Sequence, residues 1–246
     1  MYLLALDSTA QTASVAIAED DKIIASMVMD NGKTHSEQLL PMAENCLARV
    51  GLSCKQLDAF SCTVGPGSFT GVRIGVSTLK GLAFGTKKPC VPISTLRAIA
   101  ENLRPLDGVY CALMDARRGE VYTALFTKDQ ASGNLVRLAE DSALSFDELA
   151  LLLQENDLLK KGAPLFLAGD GMNVAAKALT AKGIPFQLAP SLLANQHAAS
   201  VARCALQDIR NAAPSICTDR TIAPLYLRVP QAERERLAKQ AALQNK

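Results

Sequence analysis

Asp7, Ser8 and Thr9 close the first apolar run of the chain. A carboxylate there can meet a metal-bound phosphate, and Asp is equally at home at a strand end as a turn residue. His35 opens the string HSEQLLP and Ser68 lies in GPGSFTG, so Asp7, His35 and Ser68 supply the residue types of a Ser-His-Asp hydrolase. No GxSxG elbow accompanies them, and nothing in the sequence brings the three together. The other imidazole, His197, stands far away in a polar stretch. No HxxxH or HExxH therefore places two metal ligands on one helical face.

The most unusual segment is TVGPGSFTGVRIGVSTLKGLAFG, residues 63–85, with six of the fifteen glycines. A glycine loop that opens a helix aims free N–H groups at an anion. The spacing of Gly65, Gly67 and Gly71 is GxGxxxG, which matches neither the dinucleotide fingerprint nor the P-loop, and we favour a tight strand-to-helix turn. In MDARRGEVY, Arg117 and Arg118 share a hairpin turn with Gly119, which suits an acidic partner or plain solvation. LAGDG, residues 167–171, ends a strand and enters a helix, another edge at which an α/β sheet takes ligands.

The surrounding pattern predicts the elements that hold these residues. Short apolar runs at 3–7, 14–18 and 22–28 read as an antiparallel meander. From Ser36 the period changes: Leu39, Ala43, Cys46, Leu47 and Val50 recur at helical spacing until Gly51. A strand at 59–64, a helix at 72–84, a strand at 90–93 and a helix capped by Ser94 follow. The helix at 72–84 is apolar on more than one face, so either it is wholly buried or its second face packs on another protein.

After Pro105 the order restarts, with strands at 109–115 and 120–127, a helix at 145–153, a strand at 165–168, a helix at 172–181, a strand at 186–188 and a helix at 198–210. The expected fold class is α/β with two lobes, each a mixed sheet flanked by helices. The expected division is an N-terminal lobe at 1–105 rejoined by 218–230, a C-terminal lobe at 106–217, and a charged terminal helix or tail at 231–246. PLYLR, residues 224–228, is expected to return to a sheet.

Composition narrows the function classes. Lys and Arg number 26 against 24 Asp and Glu, and the excess of +2 lies within residues 231–246. The rest is neutral, which argues against a chain that grips a nucleic-acid backbone alone. Seven cysteines without a CxxC pair lie mostly among Leu, Ala and Val, which points to a reducing cytosol and away from zinc or disulfide frameworks. MYLLALDSTA has no basic leader and reads as a first strand. The longest charge-free run, residues 183–202, is broken by two prolines and is no membrane helix.

LALDSTAQTASVAI, HSEQLLP, TVGPGSFTGVRIGVSTLKGLA, MDARRGEVYTALF, LAGDG and PLYLR together resemble the TsaB family of bacteria, formerly called YeaZ, in family order from Leu3 to Arg228. GPGSFTGVRIG is the most specific of these strings. The resemblance implies the two-lobed fold of actin, sugar kinases and chaperone ATPases. It also implies a role in making threonylcarbamoyladenosine beside the anticodon of tRNAs that read codons beginning with A.

In that family the transferase chemistry belongs to a paralogue, TsaD, which holds a metal through HxxxH. Here His35 is followed four positions later by Leu39, and Asp170 stands between Gly169 and Gly171 where TsaD-like proteins have adjacent glycines. Both departures argue for a cytoplasmic scaffold with no catalytic residue, metal or cofactor of its own. The resemblance implies that it binds and activates TsaD, with TsaE joining the assembly, TsaC supplying threonylcarbamoyl-adenylate, and tRNA met only through the complex.

The expected contacts on the two N-lobe helices are Leu39, Leu40, Ala43, Leu47, Arg73, Ile74, Thr78 and Leu82, and without TsaD the same surface is expected to pair with a second copy. The alternative is an ATP-dependent kinase, hydrolase or peptidase of the same fold. A direct tRNA binder is a third reading, which the neutral body opposes.

Overall fold

The computed structural model describes residues 1–228. The first sheet holds β1 (Tyr2–Asp7), β2 (Ala13–Glu19), β3 (Lys22–Met29), β4 (Ala59–Gly65) and β5 (Cys90–Ser94), in the order β3-β2-β1-β4-β5. The meander β1–β3 is antiparallel, while β4 and β5 add parallel strands through helical crossovers. Those crossovers are α1 (His35–Arg49) and α2 (Phe69–Ala83), and α3 (Thr95–Asn102) follows β5.

The second sheet holds β6 (Val109–Arg117), β7 (Glu120–Lys128), β8 (Leu135–Ser145), β9 (Leu165–Ala168) and β10 (Gln187–Leu188), in the order β10-β9-β6-β7-β8. Read from its other edge, this is the order of the first sheet, and its antiparallel and parallel pairings fall at equivalent places. The helices after β8 are, in chain order, α4 (Phe146–Glu155), α5 (Asp157–Lys160), α6 (Met172–Ala181), α7 (Ser191–Ala194) and α8 (Ala198–Arg210).

Strand alternation sorts the core into layers. Leu4, Leu6, Val15, Ile17, Phe60 and Cys62 face α1 and α2. Their neighbours Leu3, Ala5, Ala16, Ala18, Val91 and Ile93 face the opposite way, against α8 and Ala98 of α3. Leu96, Ile99 and Leu103 of α3 also cover one face of the second sheet, on Tyr110, Ala112 and Phe126. The far face of that sheet, with Cys111, Leu113 and Leu125, packs on α4 and α6. The result is five alternating layers of helix and sheet, with α3 joining the lobes.

Three features depart from the sequence expectation. Strand β8 was not foreseen, because its charged alternation, LVRLAED, resembles a loop. It holds as an edge strand through the Arg137–Asp141 ion pair, the Arg137 guanidinium 4.6 Å over Phe126, and the Ser94 hydroxyl donating to Asp141. Helix α8 falls in the 106–217 stretch assigned to the second lobe, yet it lies on the first sheet. Its stripe of Ala198, Val201, Ala202 and Ala205 is small enough for a close approach to Ala5, Ala16 and Ala18. Arg97 pairs with Asp208 at 2.8 Å beside it.

Residues 224–228 form no strand. The chain after α8 makes an isolated antiparallel bridge between Cys217 and Cys90, buries Ile222 in the first core, and then makes one strand-like bond, Leu225 N–H to Val64 O at 2.7 Å. Pro224 has no N–H to extend a ladder. The terminal helix expected at 231–246 lies outside the described residues.

The interlobe cleft and the outer helix pair

Asp7 is fully buried at the end of β1. The hydroxyls of Thr9 (2.7 Å) and Thr63 both donate to its Oδ1. Burial pushes its carboxyl above the ordinary range; the two hydroxyl bonds, and more weakly His35, pull the other way without cancelling it. Asp7 is therefore a structural group under the β1–β2 turn and not an open ligand.

The three hydrolase-type residues do not converge on a reacting atom. His35 Nε2 bonds the Ala10 carbonyl at 2.7 Å, and Ser68 Oγ accepts the Gly71 N–H at 3.3 Å as the cap of α2. Ser68 thus caps a helix, and His35 ties α1 to the β1–β2 turn.

The glycines of the 65–71 loop answer to the chain's own backbone. A Cβ at Gly71 would lie 2.0 Å from the Ser8 carbonyl oxygen, and one at Gly67 would lie 2.6 Å from that of Thr9. Ser8 Oγ donates to the Gly71 carbonyl at 2.9 Å, and Ser68 N–H to the Thr9 carbonyl at 2.8 Å. The glycine motif lets the start of α2 seat directly on the β1–β2 turn, which is the tight-turn reading.

Between the lobes lies a cavity of about 550 Å³, bordered by Thr9, Gly67, Phe69, Met114, Asp115 and Asp170 among others. Asp170, on the second-lobe wall of this cavity, accepts the Asp115 backbone N–H at 3.1 Å. Burial raises its carboxyl above the ordinary range, and the nearby Asp115 charge adds to the rise. A Cβ at Gly169 would lie 1.9 Å from the Leu113 carbonyl oxygen, so this glycine too serves strand–turn packing. A phosphate entering here meets two carboxylates and one exposed cation, Arg117, which itself pairs with Asp115 at 3.4 Å. Arg117 and Arg118 sit at φ of 63° and 57° in the β6–β7 turn, exposed to solvent.

The donor set does not suit the paralogue's metal. Leu39, which occupies the position of the second imidazole, is wholly buried in the first core. Among the described residues no three His, Cys, Asp or Glu side chains gather as a metal site. Nor is any helix among them long and apolar enough to cross a membrane.

The expected partner contacts divide into two groups. Leu39, Ala43 and Leu47 belong to this chain's own core, because that stripe of α1 faces the first sheet; they are withdrawn from the surface list. Leu40 on α1 and Arg73 on α2 are exposed, while Ile74, Thr78 and Leu82 are half-buried along α2. The second face of α2 is thus neither wholly interior nor wholly bare.

Two residues beside it were missed. Phe69 and Tyr226 stack at 5.1 Å between ring centroids, and Arg73 lies 3.8 Å over Phe69. Arg73 and Tyr226 stand 153 residues apart, and no signal in the sequence paired them.

The repeated β-β-β-α-β-α-β unit, with β4 and β5 parallel to β1 in one sheet, β9 and β10 parallel to β6 in the other, and a cleft between the lobes, defines the actin, sugar-kinase and chaperone-ATPase class. Residues 24–236 match a family model described as TsaD: tRNA N6-adenosine threonylcarbamoyltransferase. The chain belongs to this family, and within it to the TsaB (YeaZ) group.

A Bacillus subtilis relative, tRNA threonylcarbamoyladenosine biosynthesis protein TsaB, is 33% identical over 157 residues, 64% of this chain and 68% of its own length. The Escherichia coli protein of that name is 36% identical over 132 residues, 53% of this chain and 57% of its own. A crystal structure of a Pseudomonas aeruginosa protein described as similar to the peptidase YeaZ superposes with a TM-score of 0.74 at 26% identity, covering 92% of this chain and 99% of that one.

Proposed function

We propose that this chain acts in tRNA threonylcarbamoyladenosine biosynthesis as the non-catalytic partner and activator of a TsaD-type threonylcarbamoyltransferase. The observation that carries the reading is that the groups best suited to hold a nucleotide or metal are already engaged inside the chain. Asp170 is tied to Asp115, Asp7 is buried under hydroxyl bonds, and Leu39 stands where a second imidazole would be. What the molecule offers instead is an outer strip of Leu40, Ile74, Thr78 and Leu82 on two adjacent helices, a surface suited to a four-helix contact with a paralogous lobe. TsaE and tRNA then join through the complex, and a second copy takes the same strip when the partner is absent.

Reconstitution of tRNA modification with and without this chain tests the proposal. Modification should fall at least about tenfold on omission, and activity indifferent to its presence would overturn the assignment. Ile74→Asp should abolish binding to the transferase while the variant stays folded. The competing reading, an ATP-dependent kinase, hydrolase or peptidase, draws on the open interlobe cavity and on the peptidase description of the P. aeruginosa relative. Turnover of ATP or peptide by the isolated chain, lost in Asp7→Ala, would favour it.

A further inference from the structure

Arg73 is held as a prepared cation. Its guanidinium carbon sits 3.8 Å over the Phe69 ring, and its Nε donates to the Tyr226 hydroxyl at 2.8 Å. Phe69 and Tyr226 themselves stack, so the guanidinium plane is fixed by one ring below and one hydroxyl at its edge. Arg73 makes no ion pair among the described residues, and with Nε engaged by Tyr226 its two terminal nitrogens remain as donors.

Tyr226 is in turn held on both sides. Leu225 bonds Val64 at the end of β4, and Arg228 pairs with Glu120 of the second lobe and lies 6.0 Å from the Tyr122 ring. The C-terminal strap thus anchors to both lobes and carries the phenol that orients Arg73.

Beside this group runs an open groove of about 450 Å³ between α1 and α2, lined by Ser36, Thr70, Ile74, Ser77 and Thr78 together with Phe69 and Arg73. Its lining has one charge, and that charge is positive. A rigid guanidinium with two free parallel donors beside small and apolar side chains is matched by a planar carboxylate on a helix that packs into the groove.

We infer that Arg73, oriented by Phe69 and Tyr226, receives an Asp or Glu side chain from a helix of the transferase partner, and so fixes the register of the helix contact. The inference rests on the partner reading under Proposed function and adds to it the chemistry of one specific contact.

The full chain and its TsaD-type partner test it by titration calorimetry at two salt concentrations. Arg73→Ala should weaken binding about 30-fold or more and flatten its salt dependence, because a charge-assisted bidentate pair is lost. Arg73→Lys keeps the charge and should still lose about tenfold, and Tyr226→Phe, which removes only the orienting hydroxyl, should lose about threefold.

Melting curves check that each variant is folded, and Tyr226→Phe keeps the aromatic stack should Arg73→Ala unfold. Wild-type binding with an Arg73→Ala affinity within about twofold of it overturns the inference and leaves the partner reading standing. Absence of wild-type binding overturns that reading itself. Loss confined to self-association, or to a gel shift with tRNA, assigns Arg73 to another occupant and likewise refutes the carboxylate contact.

Discussion

The carboxylate of Asp170 accepts the backbone N–H of Asp115 at 3.1 Å, so the one side chain between Gly169 and Gly171 ties the β9–α6 turn to the end of β6. The bond stays within the second lobe, between neighbouring strand ends that border the interlobe cavity. The bond also sets two carboxylates close together, which explains why burial and Asp115 together hold the Asp170 proton more tightly.

Two carboxylates on the wall of this cavity should make ATP a poor ligand. With Mg²⁺ present, ATP titrated into the isolated chain should bind no tighter than about 1 mM. A micromolar Kd would return the enzyme reading to favour. Asp170→Ala should cost about 1–2 kcal/mol in urea unfolding, the loss of one charge-assisted hydrogen bond.

Asp7 gives the molecule a pH signature. Its native-state proton affinity is raised by burial, so the native state holds that proton at pH values where the unfolded chain has released it. The stability it contributes is complete below the unfolded pKa and declines as pH rises through the folded one. Asp7→Asn keeps an oxygen for the Thr9 and Thr63 hydroxyls and removes the ionisation. Relative to wild type, the variant should gain stability in urea melts as pH rises above the ordinary carboxylate range and through the raised folded pKa. Curves that stay parallel would show that the fold leaves the proton affinity of Asp7 unchanged.

Two glycines of α2 should respond in opposite senses to alanine. At Gly71 the new Cβ meets the Ser8 backbone oxygen at 2.0 Å, with no flexible side chain to yield, and the variant should lose about 3 kcal/mol or more. At Gly81 nothing lies within 4 Å, and alanine should stabilise by roughly 1 kcal/mol through helix propensity. Thermal unfolding of the pair measures both.

Neighbours on α1 should separate folding from binding. Leu39 has no exposed surface, and Leu39→Ala should destabilise by about 2–5 kcal/mol. Leu40 is 42% exposed, and Leu40→Ala should change stability by less than about 0.5 kcal/mol while weakening transferase binding. Equal stability losses in the two variants would place the core face of α1 wrongly.

Much of the fold was legible because periodicity is local. The runs of β1, β2 and β4 alternate or stay apolar over a few residues, and α1 repeats Leu39, Ala43, Cys46 and Leu47 at helical spacing. The restart after Pro105 showed as a repeated order of elements, and the two sheets share one strand order. An edge strand such as β8 escaped because Arg137, Glu140 and Asp141 interrupt its apolar residues and its pairing with β7 is a long-range choice.

By itself the sequence determined the element types, the family strings and the missing second imidazole at Leu39. It told which residues of α1 share a face but not that this face would turn inward, since a helical stripe is equally apolar whether a sheet or a partner covers it. Only the tertiary structure placed α8 on the first sheet, tied Asp170 to the end of β6, and set Tyr226 against Arg73, 153 residues apart in the chain. Such contacts depend on how layers of small side chains allow backbones to approach, a property of the assembled packing that no window of sequence contains.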